Sequence, residues 1–589
     1  MFTVHKLTTL AACTAIALAG CTSLETTKLT AECQVTAKPE SSESSITGLT
    51  LLGTYVADSE FDTSAAEIVA YDECSDQLFV VNAQAKRVDV MTLDAQNRPT
   101  KAAHIDLSTA GEMANIKIGA ANSVSVHNGL VAVAIENQVK QENGLIALYH
   151  ADTLELIKTY QTGALPDMVS FSKDGRYIAT ANEGEPNSDY SIDPEGSITL
   201  VDLASGIEQA EVKQISFKAF NQGESRHDEL METIRISAPG ATVAQDLEPE
   251  YLTFADDGYL YVALQENNAL AKIDIHKASV DSIYGLGGKS WETKALDASN
   301  KDKKLGNFNS YPQLEGLYMP DSIASFQVEG ETYIATANEG DGREYGFKTT
   351  QAVCDSKGFE WDEDDFTDSS QYRTEKGFCI VYSDELRGKD LNVNASHPLK
   401  SQLSDKNQLA RLKVVKPNGD LAQDDVVYSF GSRSFSLWNA NGELVFDSGD
   451  EFADIVNTLD PQHLNSSNDS NETADDRSDD KGVEPEAIEV ASINGRQYAF
   501  IGLERQGGIM VYDVSTPTSP MFINYINNRD FSEPVCTQVS DGECSNDTYN
   551  PEAGDLGPES IRYFARHGQH LLAVGNEVSG TTSIYRIEL

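Results

Sequence analysis

Carboxylates recur at two fixed places in a pattern that runs the length of this chain. At the start of the first apolar run of each unit stand Glu67, Asp167, Glu250, Asp321, Glu486 and Glu559, with Ser123 in the remaining slot. At the end of the second run stand Glu136, Glu183, Glu266, Glu339, Glu504 and Glu577, with Asn82 in the remaining slot. The spacing is clearest where the text nearly repeats itself, RYIATANEGEPNSDY from Arg176 and TYIATANEGDGREY from Thr332. Twelve acids in fourteen slots, if gathered at one place, repel and raise one another's pKa unless cations intervene. Arg343 and Arg505 follow these slots closely and can neutralise part of the set. Hard cations such as calcium neutralise more, because they take about six to eight oxygen ligands. Acids that only cap turns on backbone amides are the competing role, and the two roles can coexist. The ten histidines lack metal-ligand spacing, which disfavours a zinc enzyme. Gly-x-Ser-x-Gly, the phosphate-cradling Gly-x-x-x-x-Gly-Lys-Ser/Thr and His-Glu-x-x-His are all missing from the sequence.

What positions the acids is a repeat. Seven units, beginning near Ala66, Asn122, Pro166, Pro249, Pro320, Pro485 and Pro558, each hold short Val/Ile/Tyr/Phe-rich runs parted by turns such as KDGR, DDGY and INGR. The pattern predicts an all-β chain, a seven-bladed β-propeller, because one four-stranded unit cannot bury both its faces alone. The seventh unit ends at Leu589 with three strands, so GLTLLGTYVA (Gly48 to Ala57) is expected to complete that blade and close the ring. In a blade the first strand lines the channel and the second returns beside it, which brings both sets of acids to one mouth. A long insertion, 346–483, separates units five and six. Its segment SRSFSLWNANGELVFDSGDEF, from Ser432, reads as a hairpin able to supply the outer strands of the fifth blade. Its loop NSSNDSNETADDRSDDKGVEPE, from Asn465, carries Asp475, Asp476, Asp479 and Asp480 and is expected over the same mouth.

The net charge is −49, from 93 acidic and 44 basic residues, which disfavours nucleic acid and anionic lipid as partners. Residues 1–20 read as a lipoprotein signal peptide: a basic residue, an apolar stretch, then Leu-Ala-Gly-Cys, with Cys21 the expected lipidation site. Thr22 after that cysteine points to the bacterial outer membrane, with the protein held by its lipid and either periplasmic or surface-exposed. Residues 21–47 are polar and unperiodic, a flexible tether, and 48–589 form the propeller. Six cysteines remain in an oxidising compartment, and the simplest of the possible pairings joins neighbours: Cys33–Cys74, Cys354–Cys379 and Cys536–Cys544. A monomer is expected.

Several long stretches, in order, are similar to the choice-of-anchor I family of bacterial exported proteins. They include AAEIVAYD from Ala65, ANEGEPNSDYSIDPEGSITLVDL from Ala181, TANEGDGREY from Thr336 and FGSRSFSLWNANGELVFDSGDEF from Phe430. RSDDKGVEPE from Arg477 and AFIGLERQGGIMVYDV from Ala499 complete the set. The family resembles phytase-like and alkaline-phosphatase-like propellers. That resemblance implies a metal-dependent phosphoesterase, with calcium or another divalent cation held by Glu183, Glu250, Glu266, Glu339, Glu486 and Glu504. It also implies phosphate contacts from Arg343, Arg433 and Arg477, and a phosphate-ester substrate; it assigns no catalytic residue. The alternative is a non-catalytic surface propeller that binds a protein or polysaccharide ligand.

Overall fold

The computed structural model describes residues 37–40, 42–362, 376–472, 474–540, 543–544, 546 and 548–589. The signal peptide, the lipidation site Cys21 and the first part of the tether lie outside the described residues. No helix among the described residues is long and apolar enough to cross a membrane.

The β-rich runs fold into seven four-stranded antiparallel sheets, numbered here I to VII. Their first two strands are Val69–Asp72 and Gln77–Asn82 (I), Ile118–His127 and Leu130–Asn137 (II), and Pro166–Phe171 and Tyr177–Asn182 (III). Sheets IV and V begin Leu252–Phe254, Tyr259–Leu264 and Ile323–Val328, Glu331–Asn338. Sheets VI and VII begin Pro485–Ile493, Arg496–Leu503 and Pro558–Arg566, Gln569–Asn576. The first strand of each sheet neighbours that of the next, and the first strand of VII neighbours that of I. The sheets are therefore arranged cyclically, as in a β-propeller, with their first strands innermost.

Alternation of side chains explains why the sheets stack. Each face of a sheet carries apolar residues, and each neighbouring pair shares a buried layer: Phe79 with Val133, Ile146 with Ile178, Leu200 with Val262, Tyr261 with Ile334, Phe435 with Tyr512, Phe500 with Leu572, and Leu571 with Val80. Gly48–Val56 pairs antiparallel with Thr581–Glu588 as the outer strand of sheet VII, so strands from the N-terminal and C-terminal parts of the described chain meet in one sheet. Before that strand, Ile46 is buried with its N–H on the Tyr498 hydroxyl, and the Ala37 carbonyl accepts from Gly568 N. The C-terminal part of the segment read as a tether is thus laid against sheets VI and VII.

The near-repeat in sheets III and V does two jobs. Thr180 Oγ1 donates to Asn182 Oδ1 (2.9 Å), and Asn182 Nδ2 donates to Ser197 and Thr199 of the third strand. Thr336 and Asn338 repeat this with Ser434 and Ser436. All four of these Thr and Asn side chains are fully buried, so the Thr-x-Asn pair locks second strand to third where no water can compete. The acid that follows stands at the end of that lock nearest the mouth, Glu339 buried and Glu183 half-buried. The glycine after it turns the chain: Gly340 has φ +87°, and a Cβ there would stand 2.0 Å from the Gly431 nitrogen.

Within the insertion, Ser434–Asn439 and Leu444–Asp447 are the third and fourth strands of sheet V. The rest does not stand alone. A five-stranded sheet combines Glu385–Arg387, Lys413–Val415 and Val427–Ser429 with Leu314–Leu317 and Gly288–Ser290, which precede sheet V. Trp291, Tyr311, Leu314, Leu403, Leu412 and Val427 share its core, and that buried layer is what recruits residues from before 346. A smaller sheet, Glu344–Thr350, Glu360–Trp361 and Lys376–Ser383, is closed by the disulfide Cys354–Cys379. Cys536–Cys544 is also formed, and Cys74 is disulfide-bonded. The pairing Cys33–Cys74 falls on Cys33, outside the described residues.

Candidate metal centre

Six first-strand acids converge where the sheets meet. Glu67, Asp167, Glu250, Asp321, Glu486 and Glu559 line a polar cavity of about 150 Å³, with Ser123 in the seventh position. The strand starts are shaped to aim them. Pairing slips between Pro166 and Val169, between Pro485 and Ile488, and between Pro558 and Ser560, so bulges fall at Asp167, Glu486 and Glu559. Such bulges re-aim a side chain that the regular pleat would point elsewhere. Just upstream, Leu165, Met319, Glu484 and Gly557 all have positive φ, three of them without being glycine. Local strain of this kind is held in place by the surrounding fold. The carbonyls of Leu165, Glu484 and Gly557 accept from the backbone N–H of Glu183, Glu504 and Glu577 at 2.8–2.9 Å. Each of these bonds fixes a second-strand acid beside a first-strand acid.

The two tiers differ in charge compensation. Above the cavity, internal cations meet three of the six second-strand acids. Lys481 Nζ contacts Glu339, which also accepts from Gln265 (2.8 Å); Arg505 lies 3.1 Å from Glu504, which accepts from Asn468 (2.8 Å). Lys140 stands 3.9 Å from Glu136, and Ser64 donates to Glu577 (3.2 Å). Among the described residues no ion pair reaches Glu67, Asp167, Glu250, Asp321, Glu486 or Glu559, nor Glu183 or Glu266. Buried carboxylate oxygens of Glu67, Glu250, Glu266 and Glu486 have no hydrogen-bond partner among the described residues. Burial, then mutual repulsion, pushes the whole group up. Asp167 reaches about 7, with Asp321 the chief repelling neighbour, and Glu486 is raised by burial and by Glu339, Asp321 and Glu559. Glu250 and Glu559 are raised the same way, and Glu266 and Glu339 reach about 7, burial again dominating.

Two sets of oxygens are close enough to share an ion. Ligand atoms of Asp321, Glu486 and Glu559 lie within 4.8 Å of one another, as do those of Glu339, Glu486 and Glu504. Glu486 belongs to both. Of the acids expected as ligands, Glu250 lines the cavity with Glu486, Glu339 and Glu504 join Glu486 from above, and Glu183 and Glu266 sit in the sector of sheets III and IV. Asp321 and Glu559 join Glu486 in the axial set, although the ligands implied by the family resemblance do not include them.

The three arginines expected to bind phosphate are engaged inside the fold. Arg343, 2% exposed, donates to Glu248 Oε2 (2.8 and 2.9 Å), Asp246 and Ser237. Arg433 donates to the carbonyls of Asp297, Ser478 and Asp480. Arg477 pairs with Glu484 (2.7 Å) and Asp480 (3.1 Å). None of the three lines the cavity. The acidic loop also behaves differently from its charge. Asp479 turns to Arg411 (2.8 Å), Asp480 to Arg477, and Asp475 to Ser478, while Lys481 and Asn468 reach the mouth. Glu484 is fully buried; burial alone would raise it, but Lys481, Arg477 and Arg505 together hold it down at about 2.

These shifts set a pH dependence. The raised acids hold more protons folded than unfolded between the ordinary 4.5 of glutamate and about 7, so metal-free stability falls as pH rises through that window. Glu484 acts oppositely, its contribution being lost as pH drops from 4.5 towards 2. Calorimetry in chelator is therefore expected to show a higher melting temperature near pH 5 than near pH 8. A rise from 5 to 8 would count against an uncompensated ring.

Comparison with known proteins places this geometry. The mesenchyme-specific cell surface glycoprotein of Strongylocentrotus purpuratus is 27% identical over 334 residues, 52% of this chain and 41% of that protein. Gigasin-3a of Magallana gigas is 29% identical over 190 residues, 30% of this chain and 64% of that protein. The chain thus spans less than two thirds of the length of these curated relatives. Among solved structures, the RRP9 WD40 repeats match over 92% of this chain and all of theirs, at 7% identity and a TM-score of 0.41. The Cps50 (Swd1) β-propeller domain of Myceliophteria thermophila matches over 91% of this chain and 99% of its own, at 8% identity and a TM-score of 0.39. Residues 67–517, more than half of the chain and including all but the last first-strand acid, match the choice-of-anchor I domain, and the chain belongs to that family.

Proposed function

We propose that this protein is a surface-associated, seven-bladed β-propeller that holds a hard divalent cation, calcium by its donor chemistry, in the carboxylate-lined cavity on its axis. The observation that carries this is the first-strand tier: all six of its acids surround space and have no ion pair among the described residues, whereas Lys481, Arg505 and Lys140 meet half of the second-strand acids. Leaving buried carboxylates uncompensated is expensive, and a cation with many oxygen ligands offsets that cost. Oxygen donors without histidine or cysteine suit calcium rather than zinc. Surface association accords with the name of the Strongylocentrotus purpuratus relative, a cell surface glycoprotein. The lipidated Cys21 would attach the chain to the outer membrane, the remaining tether carrying the propeller away from the bilayer.

A second reading is metal-dependent phosphoester hydrolysis. Its support is the pair of carboxylate triads that share Glu486, one lining the cavity and one above it. A bound cation would polarise a phosphoryl oxygen and acidify water. Around it, this chain offers Lys481 and Arg505 as the cations nearest the mouth, since Arg343, Arg433 and Arg477 spend their donors within the fold. That favours binding over turnover.

One experiment addresses both. The mature chain, stripped with chelator, is titrated with calcium by calorimetry and then offered chromogenic phosphate monoesters and diesters. Saturable binding is expected, with stabilisation of about 2.7 kcal/mol at a hundred times Kd. No calcium binding would overturn the first reading. Hydrolysis lost with chelator and restored by calcium would establish the second, and binding without hydrolysis would dismiss it.

A further inference from the structure

The two triads are not equivalent. In the axial triad, Asp321, Glu486 and Glu559, no member has a cationic partner among the described residues. In the upper triad, Glu339, Glu486 and Glu504, two members do. Lys481 Nζ contacts Glu339 and stands 3.4 Å from both Asp341 and Glu484, and Arg505 Nε lies 3.1 Å from Glu504. Lys481 is 7% exposed and arrives from the loop that leads into sheet VI, five residues before Glu486. An ammonium at that place lies where an ion coordinated by Glu339 at about 2.3–2.6 Å would be crowded by like charge. The Oε2 of Glu486, 91% buried as a residue and without a hydrogen-bond partner, is the donor left over for the cavity.

We infer that Lys481 is a tethered counterion in the place of a second metal ion, so that the mouth takes one exchangeable divalent cation, at Asp321, Glu486 and Glu559. This rests on the cation-binding reading above and adds the number of ions, their location and the residue that limits them. The charge logic is simple. The upper triad belongs to a cluster whose remaining acids, Glu484 and Asp341, are also within reach of Lys481, so one fixed ammonium does there what a mobile cation does below. Fixing it covalently keeps that sector partly compensated at any calcium concentration, and leaves only the axial triad to respond to free calcium.

The test is stoichiometry, read by equilibrium dialysis with calcium and by terbium luminescence on the full mature chain in detergent. Wild type is expected to bind one calcium. Lys481→Met is expected to bind two, Glu559→Gln to lose the one, and the Lys481→Met/Glu559→Gln double variant to keep one, now in the upper triad. Lys481→Arg should stay at one. A wild type that binds none sinks the cation-binding reading and this inference with it. A wild type that binds one, with Lys481→Met still binding one, sinks the inference alone. Two ions in wild type also overturn it, because Lys481 would then exclude nothing. If Lys481→Met does not survive chelation, its melting carries the test: a wild-type midpoint restored only by excess calcium supports the proposal, and a midpoint that calcium does not move overturns it.

Discussion

Glu486→Gln is expected to abolish calcium binding and, in the same protein, to raise the melting temperature of the metal-free form. The opposite signs come from one side chain. Glu486 is the single acid common to both triads, and its unpartnered oxygen faces the cavity. Replacing it by the isosteric amide removes a charged ligand, and ligand charge count is what spreads oxygen-only calcium sites over several orders of magnitude. The expected loss is about a hundredfold or more in affinity. In the absence of metal, the same change removes repulsion from Glu339, Asp321, Glu559 and Glu504, and gives those carboxylates a new amide donor. Relief of one buried, unsatisfied acceptor is worth about 1–3 kcal/mol. Differential scanning calorimetry with chelator and with calcium reads both effects. The curves should cross: the variant melts above wild type in chelator and below it in calcium. A variant that binds calcium as wild type does would remove Glu486 from the site, and one that destabilises both forms equally would make it a turn cap.

Why that residue could be found in the sequence, and Lys481 could not, is a matter of which constraints are local. The first-strand acids repeat at a fixed register because each begins a strand, and strand starts are legible from Pro, the apolar run and the turn that follows. The same regularity showed sheet VII lacking a strand and Gly48–Val56 supplying it. It showed the hairpin of the insertion finishing sheet V. Nothing local says where the ammonium of Lys481 goes. Its partners Glu339 and Glu484 lie 142 and three residues away, and an acidic loop expected over the mouth gives no sign of which of its side chains enters it. Asp479 and Asp480 turn out to answer Arg411, Lys413 and Arg477, partners that the sequence does not align with them. The Thr-x-Asn lock stands in both copies of the near-repeat, and its recurrence belongs to these two side chains as much as to the acid. A buried polar pair at a constant offset before a turn is a signal that sequence reading can use, since such pairs persist in an apolar strand only when they satisfy each other.

Arg343→Met is expected to be the most destabilising single change at the mouth, for reasons that have nothing to do with phosphate. The guanidinium is buried and spends its donors on Glu248, Asp246 and the Ser237 hydroxyl, tying the loop before sheet IV to the turn after the second strand of sheet V. Burial pushes Glu248 up, and Arg343 is the partner that opposes this. Removing the cation leaves Glu248 and Asp246, each 1% exposed, facing each other without it. Breaking a buried pair from one side costs about 3–5 kcal/mol, well beyond the effect of an exposed bridge. The compensating variant is Arg343→Met/Glu248→Gln, which removes both charges from one of the two bonds. It should recover a good part of the loss, although Asp246 keeps its bonds from Ser237 and Ala238 N–H and from Asn267. Urea unfolding followed by tryptophan fluorescence separates this from the anion-contact role implied by the family resemblance. As an internal strut, Arg343 predicts a lower midpoint in the single variant and partial return in the double. An unchanged midpoint with loss of phosphate binding would put the guanidinium to work on ligand, and the mouth would then be an anion site as well as a cation site.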